Sequence, residues 1–184
     1  MIRLRLDPQS LEKISCDVAI VAFGEDDLPL NGPAGRIDTC LGGESGRLIA
    51  EGHLKGAWKS QALFTSRGRV ASELVLFAGM GSLRDLSARD LSTRIDEVIQ
   101  RAVKLSARSM ATYVPSAGGP RTEYGTLAAE TVNGALRGLA DCTYDVDFIF
   151  CEPEPERYGE LVEAAERIVF RRVKGREVSV EVIV

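Results

Sequence analysis

Histidine occurs once in these 184 residues and tryptophan once, and the four cysteines, Cys16, Cys40, Cys142 and Cys151, form no CxxC pair. That spacing excludes a zinc knuckle, a thioredoxin motif and a dense disulfide framework. With His53 as the sole imidazole, any Ser-His, Cys-His or His-metal mechanism would have to use it, and no HExxH or paired-histidine spacing recruits zinc. It stands in a glycine-flanked stretch, Gly52-His53-Leu54-Lys55-Gly56, where an exposed turn residue is the simplest reading. No apolar run approaches the roughly 20 residues of a membrane span, and MIRLRLDPQS lacks the apolar core of a secretory signal. A cytoplasmic chain without membrane contact is expected. Charge of one sign is also lacking: 23 basic and 27 acidic residues are scattered to a net −4, which leaves no electrostatic footprint for nucleic acid.

What is present is enough for one core. Hydrophobic residues make up 45% of the chain, which suits a single domain over residues 1–184. Ile2, Leu4 and Leu6 alternate with charge as in a peripheral strand, whereas Cys16 to Phe23 (CDVAIVAF) is nearly all apolar, as in a strand buried on both faces. Cys16 and Cys151 read as buried thiols. Glu25 to Gly35 is acidic and turn-rich, and a helix over Arg36 to Ala50 is interrupted by Gly42, Gly43 and Gly46. Trp58 to Thr65 and Glu73 to Ala78 read as a strand pair joined by a turn at residues 66–69. Ser87 followed by Asp90, with Leu86 and Leu91 as a staple, opens a helix carried by Leu91, Ile95, Val98, Ile99 and Ala102. Met110 to Val114 is a short strand, and a helix follows over Glu123 to Leu139. Val146 to Cys151 is the next strand, then comes a helix beyond Pro153 and Pro155, and Glu177 to Val184 closes as a strand. Strands alternating with helices predict an α/β fold with a mixed sheet covered on both faces.

Two glycine segments are candidate ligand loops. Gly79-Met80-Gly81-Ser82 lies between a strand end and a helix start, where backbone N–H groups can hold an anion, although it matches neither GxGxxG nor GxxxxGK[ST]. A tight turn is its plainer reading. Ser116, Gly118 and Gly119 lie ahead of the helix at Glu123, whose dipole would favour an anion there. A ligand site is expected at Ser116 to Gly119, walled by Gly79, Gly81 and Ser82. The acidic Glu25-Asp26-Asp27 lacks the spacing of a calcium loop and reads as solvated. Glu152, Glu154 and Glu156 read as acids at a helix N-terminus, and Arg167, Arg171, Arg172, Lys174 and Arg176 as a solvated helix end.

The segment order, with Cys16 to Phe23, Gly52 to Lys59 (GHLKGAWK) and Leu74 to Ser87 (LVLFAGMGSLRDLS), resembles the N-terminal domain of the M17 leucyl aminopeptidases over about 150 residues. The resemblance implies a three-layer α/β/α fold similar to macro domains. It also implies a non-catalytic binding or assembly module, with a homo-oligomer or a separately encoded protein as partner. The family's two-metal signature, resembling NTDAEGRL, does not occur in the chain, so no metal site, cofactor or catalytic residue is assigned. The macro likeness is carried further by Val114-Pro115-Ser116-Ala117-Gly118-Gly119, Tyr124-Gly125, Val146 to Cys151 and Tyr158. It implies a nucleotide-like ligand and, as the alternative, binding or hydrolysis of ADP-ribose with Glu25 or Asp26 assisting water. The Asn-rich partner loop of macro domains would fall near the first buried strand, where this sequence has Phe23-Gly24-Glu25-Asp26-Asp27.

Overall fold

The computed structural model describes residues 1–116, 123–169 and 177–183. Seven strands form one sheet in the order β3-β4-β2-β5-β6-β1-β7, parallel except for β3. Central β2 (Val18–Phe23) is buried at every residue between β4 (Leu74–Gly79) and β5 (Ser109–Thr112). A parallel strand covered on both faces leaves no side for polar residues, and this is why the run contains none. β1 (Ile2–Asp7) sits between β6 (Val146–Cys151) and β7 (Val178–Val182) rather than at an edge, with Ile2, Leu4 and Leu6 fully buried. The edges are β7 and β3 (Gln61–Thr65), the latter hairpinned to β4 through the expected turn. β3 begins at Gln61, not Trp58.

One face carries α3 (Ala88–Val103), α4 (Tyr124–Leu139) and α5 (Pro155–Val169), packed with Ile20, Met110, Phe148 and Phe150. The other carries a 3-10 turn at Leu11–Lys13 and α1 (Gly32–Cys40), which pack against Val21, Phe23, Phe77 and Ile149. The helix expected over Arg36 to Ala50 is two: α1 ends before Gly42 and Gly43, both at positive φ, and α2 (Glu44–Ala50) restarts after them. Two consecutive left-handed glycines reverse the chain, so a continuous helix is impossible there. The α3 start is as expected: the Ser87 hydroxyl accepts from the Asp90 N–H at 3.1 Å and donates to its carboxylate at 2.7 Å.

α3 and α4 lie unusually close. Gly134 and Gly138, one helical turn apart on α4, face Ser92, Ile95, Asp96 and Ile99, and a Cβ on either would come within 3 Å of α3 atoms. Two helix backbones therefore pack without side chains between them at this crossing. Among the described residues no helix is long and apolar enough to cross a membrane.

Candidate ligand cleft at the strand ends

In an open parallel sheet, ligands bind in the crevice beyond the carboxyl ends of the strands, where helices leave in opposite directions. Here β2, β5 and β6 are adjacent, and a cleft of about 260 Å³ opens beyond their ends. Ala22 of β2, Tyr113 and Val114 just after β5, and Cys151 with Glu152 at the end of β6 form its base. The first turns of α1 and α5 supply its walls through Asn31, Gly32, Pro33, Ala34, Glu154 and Arg157. The Tyr113 hydroxyl donates to the Ala22 carbonyl, which ties β5 to β2 beneath the opening and turns the ring into floor. Burial raises the Tyr113 phenol well above its ordinary pKa, so it stays a neutral donor. A second, shallower hollow along α1 shares Asn31, Gly32 and Arg36 with the cleft and continues it toward Thr39 and Cys40.

The polar groups are graded by depth. Glu152 is buried: its carboxylate accepts the Tyr124 hydroxyl at 2.7 Å and the Glu154 N–H at 3.0 Å. Of the three acids expected at this helix start, Glu152 does meet an N–H just ahead of α5, and beyond that expectation it is buried. A tyrosine 28 positions earlier, at the start of α4, claims it, a long-range contact that the local pattern does not announce. Asp27 is half-buried and accepts from the Gly24 N–H at 2.9 Å. Burial, the largest cause, and the neighbouring Asp26 charge raise its pKa above the usual aspartate value. Arg36 and Arg157 are exposed at the rim; Arg36 pairs with Glu12 at 3.3 Å, and the Arg157 guanidinium lies 5.3 Å from the centre of the Tyr124 ring.

Of the sequence candidates, Ser116 lines this cleft. Gly118 and Gly119 lie outside the described residues, as do Arg171, Arg172, Lys174 and Arg176. Gly79, Gly81 and Ser82 are not among the cleft's lining residues. They form a turn whose donors are satisfied from within: the Asp26 carboxylate accepts from Leu83 N–H at 2.9 Å, Arg84 N–H at 2.8 Å and the Ser82 hydroxyl at 3.3 Å. Burial alone would raise the Asp26 pKa, but those N–H donors outweigh it and hold the group below its ordinary value. Gly81 adopts φ +72°, its N–H donates to Gly56 O at 2.7 Å, and its carbonyl accepts from Glu25 N–H at 3.0 Å. The acidic loop is thus no solvated tract: Asp26 serves as an internal anion for the glycine turn.

His53 has its side chain 71% exposed beside Glu51 and lies away from the cleft lining. Cys16 and Cys151 are buried, and desolvation pushes the Cys16 thiol up to about 12 and Cys151 higher still, so neither supplies a thiolate near neutrality. Among the described residues no group of three or more His, Cys, Asp or Glu comes together as a metal site.

Sequence reasoning missed Asn31. The side chain of this residue, the N-cap of α1, makes no capping hydrogen bond and borders the cleft. Asn-Gly-Pro, with Pro at the first helical turn, is the signal that marks this helix start.

The model for the "Cytosol aminopeptidase family, N-terminal domain" matches residues 19–140. No curated protein matches the chain. Among solved structures, a mutant macrodomain from Oceanobacillus iheyensis superposes with TM-score 0.70 at 11% identity, covering 91% of this chain and 93% of that one. The Trypanosoma brucei macrodomain in complex with ADP gives 0.69 at 15% identity, over 88% and 67%. A tomato leucine aminopeptidase mutant gives 0.68 at 13% identity over 89% of this chain, which spans only 35% of the tomato chain. At these identities the likeness is one of fold.

Proposed function

The chain belongs to the family of cytosol aminopeptidase N-terminal domains, and from that premise we propose that it is a non-catalytic binding module whose ligand occupies the cleft beyond β2, β5 and β6. One observation carries the reading: the cleft is built by the starts of two helices and the ends of three adjacent parallel strands, with both apolar floor and polar walls. Binding rather than catalysis is supported by the chemistry around it. The buried thiols are held protonated, the imidazole stands elsewhere, and Asp26 spends both carboxylate oxygens on backbone donors. The four free cysteines suit a reducing cytoplasm, and strands from both ends of the chain, β1 and β7, share one sheet, as one domain over residues 1–184 requires.

Amide NMR of the labelled protein, with a panel of nucleotides, amino acids and polyamines that includes ADP-ribose and ADP, tests the site. Shift changes clustered at Ala22, Asn31, Ala34 and Val114, and abolished by Asn31→Trp at the cleft mouth, are the expected result. Changes elsewhere, or persistence in the blocked variant, would refute it. ADP belongs in the panel because the Trypanosoma brucei structure holds it and this chain shares that fold.

A further inference from the structure

Among the described residues the deep carboxylates of the cleft, Glu152 and Asp27, form no ion pair. Glu152 is 8% exposed, yet its hydrogen bonds come from a phenol and a backbone N–H, both neutral. Asp27 has one neutral backbone donor. Among the described residues the ion pairs engage other acids, and the two arginines that line the cleft are occupied at its rim, Arg36 with Glu12 and Arg157 over the Tyr124 ring. Removing a carboxylate from water costs several kcal/mol unless a cation or a full set of donors offsets it. Two neutral donors to Glu152 and one to Asp27 fill only part of the acceptor capacity of two carboxylates, and at the base of an open cleft the remainder faces a place a ligand can enter.

Depth decides which charge prevails. Arg36 and Arg157 are exposed and screened by solvent and salt, whereas Glu152 and Asp27 act across a drier path. A nucleoside diphosphate brought against them would add negative charge to negative charge. The cleft proper, at about 260 Å³, lies just under the roughly 300–1,000 Å³ typical of drug-sized sites and suits a small ligand.

Resting on the reading of this cleft as a ligand site, we propose that it selects a small organic cation, a protonated amine or amidine whose N–H groups meet Glu152 and Asp27, with an anionic tail directed to Arg157 at the rim.

Calorimetric titration of the whole chain with agmatine, L-arginine and ADP tests this. Agmatine and arginine bind, arginine more tightly because its carboxylate reaches Arg157, and ADP gives no heat. Glu152→Gln keeps the shape and one acceptor for Tyr124, so it folds, and it weakens both cations roughly tenfold or more. Arg157→Ala removes only the advantage of arginine over agmatine. Absence of heat from both cations overturns the proposal, and so does undiminished binding by Glu152→Gln. ADP binding with cation silence overturns it while leaving the cleft as a ligand site, whereas silence of the entire NMR panel removes both readings.

Discussion

Glycine-to-alanine substitution at two helical positions should move stability in opposite directions, because the same methyl group meets open solvent at one and a neighbouring backbone at the other. At Gly159, exposed in the second turn of α5, a Cβ would have nothing within 4 Å. Alanine there gains the propensity difference, roughly 0.5–1 kcal/mol, through the lower backbone entropy of the unfolded chain. At Gly138 the propensity gain is the same, but the added Cβ would sit 2.7 Å from Ile99 Cβ and 2.8 Å from the Asp96 carbonyl oxygen. Neither is the far end of a flexible side chain, so α3 and α4 must separate. Overpacking of this kind costs typically 1–3 kcal/mol. Subtracting the gain leaves Gly138→Ala about 1–2 kcal/mol less stable than the parent. Gly134→Ala, which meets the Ser92 carbonyl at 2.4 Å and Ile95 Cβ at 2.9 Å, should behave alike. Urea denaturation at neutral pH reads all three from the midpoint at constant slope, and for a chain of this size each kcal/mol shifts Tm by about 2–4 °C. A Gly138→Ala protein as stable as Gly159→Ala would show that the helices are not in backbone contact and would refute the packing argument.

Asp26→Asn leaves the glycine turn with one good acceptor instead of two charged ones and should cost about 1.5 kcal/mol at pH 7, since bonds to charged groups contribute roughly 1.5–3 kcal/mol each. Because the folded pKa of Asp26 lies below its unfolded value, its contribution is complete above about pH 5 and is lost as pH falls through the lowered folded value. Denaturation curves of parent and variant should therefore converge in acid; a constant gap from pH 7 to pH 3 would contradict the assignment. Tyr124→Phe removes one of the two donors of buried Glu152, with an expected loss of about 1–3 kcal/mol. Combining it with Glu152→Ala, which removes the acceptor altogether, in a double-mutant cycle should show coupling, and strict additivity would mean that the hydroxyl and carboxylate do not interact.

How much of this was legible depended on whether a residue's partner lay nearby in sequence. The β2 run, the Val146–Cys151 strand and the Ser87 cap of α3 rest on periodicity or on contacts three residues apart, and the chain displays those directly. The apolar stripe of α4 was equally plain in Ala128, Val132, Ala135, Leu136 and Leu139. The small residues beside it, Gly134 and Gly138, carry no hydrophobicity and so no periodic signal, although their four-residue spacing is that of a close helix crossing. Glu152 looked like any acid ahead of a helix because its decisive contact is with Tyr124, 28 positions away. Asn31 was submerged in a turn-rich stretch whose composition says loop and whose Asn-Gly-Pro says helix start.

Asp26 and Asp27 are neighbours in sequence with opposite electrostatic situations, and the difference explains why one glycine segment is spent while the cleft remains open to chemistry. Asp26 turns to the loop after β4, where Leu83 and Arg84 present N–H groups and Arg84 adds a guanidinium at 3.9 Å. The fold thus fills with its own carboxylate a place where an anionic ligand would otherwise be expected. Asp27 turns to the cleft and gains one backbone donor against the cost of burial, so its folded pKa is raised and its charge destabilises the chain at neutral pH. Removing that charge by Asp27→Asn, which keeps an oxygen for Gly24, should leave the protein as stable as the parent or more so while weakening a cationic ligand. A residue whose loss helps folding and harms binding is placed by function, and destabilisation by Asp27→Asn together with unchanged agmatine affinity would assign it to structure instead.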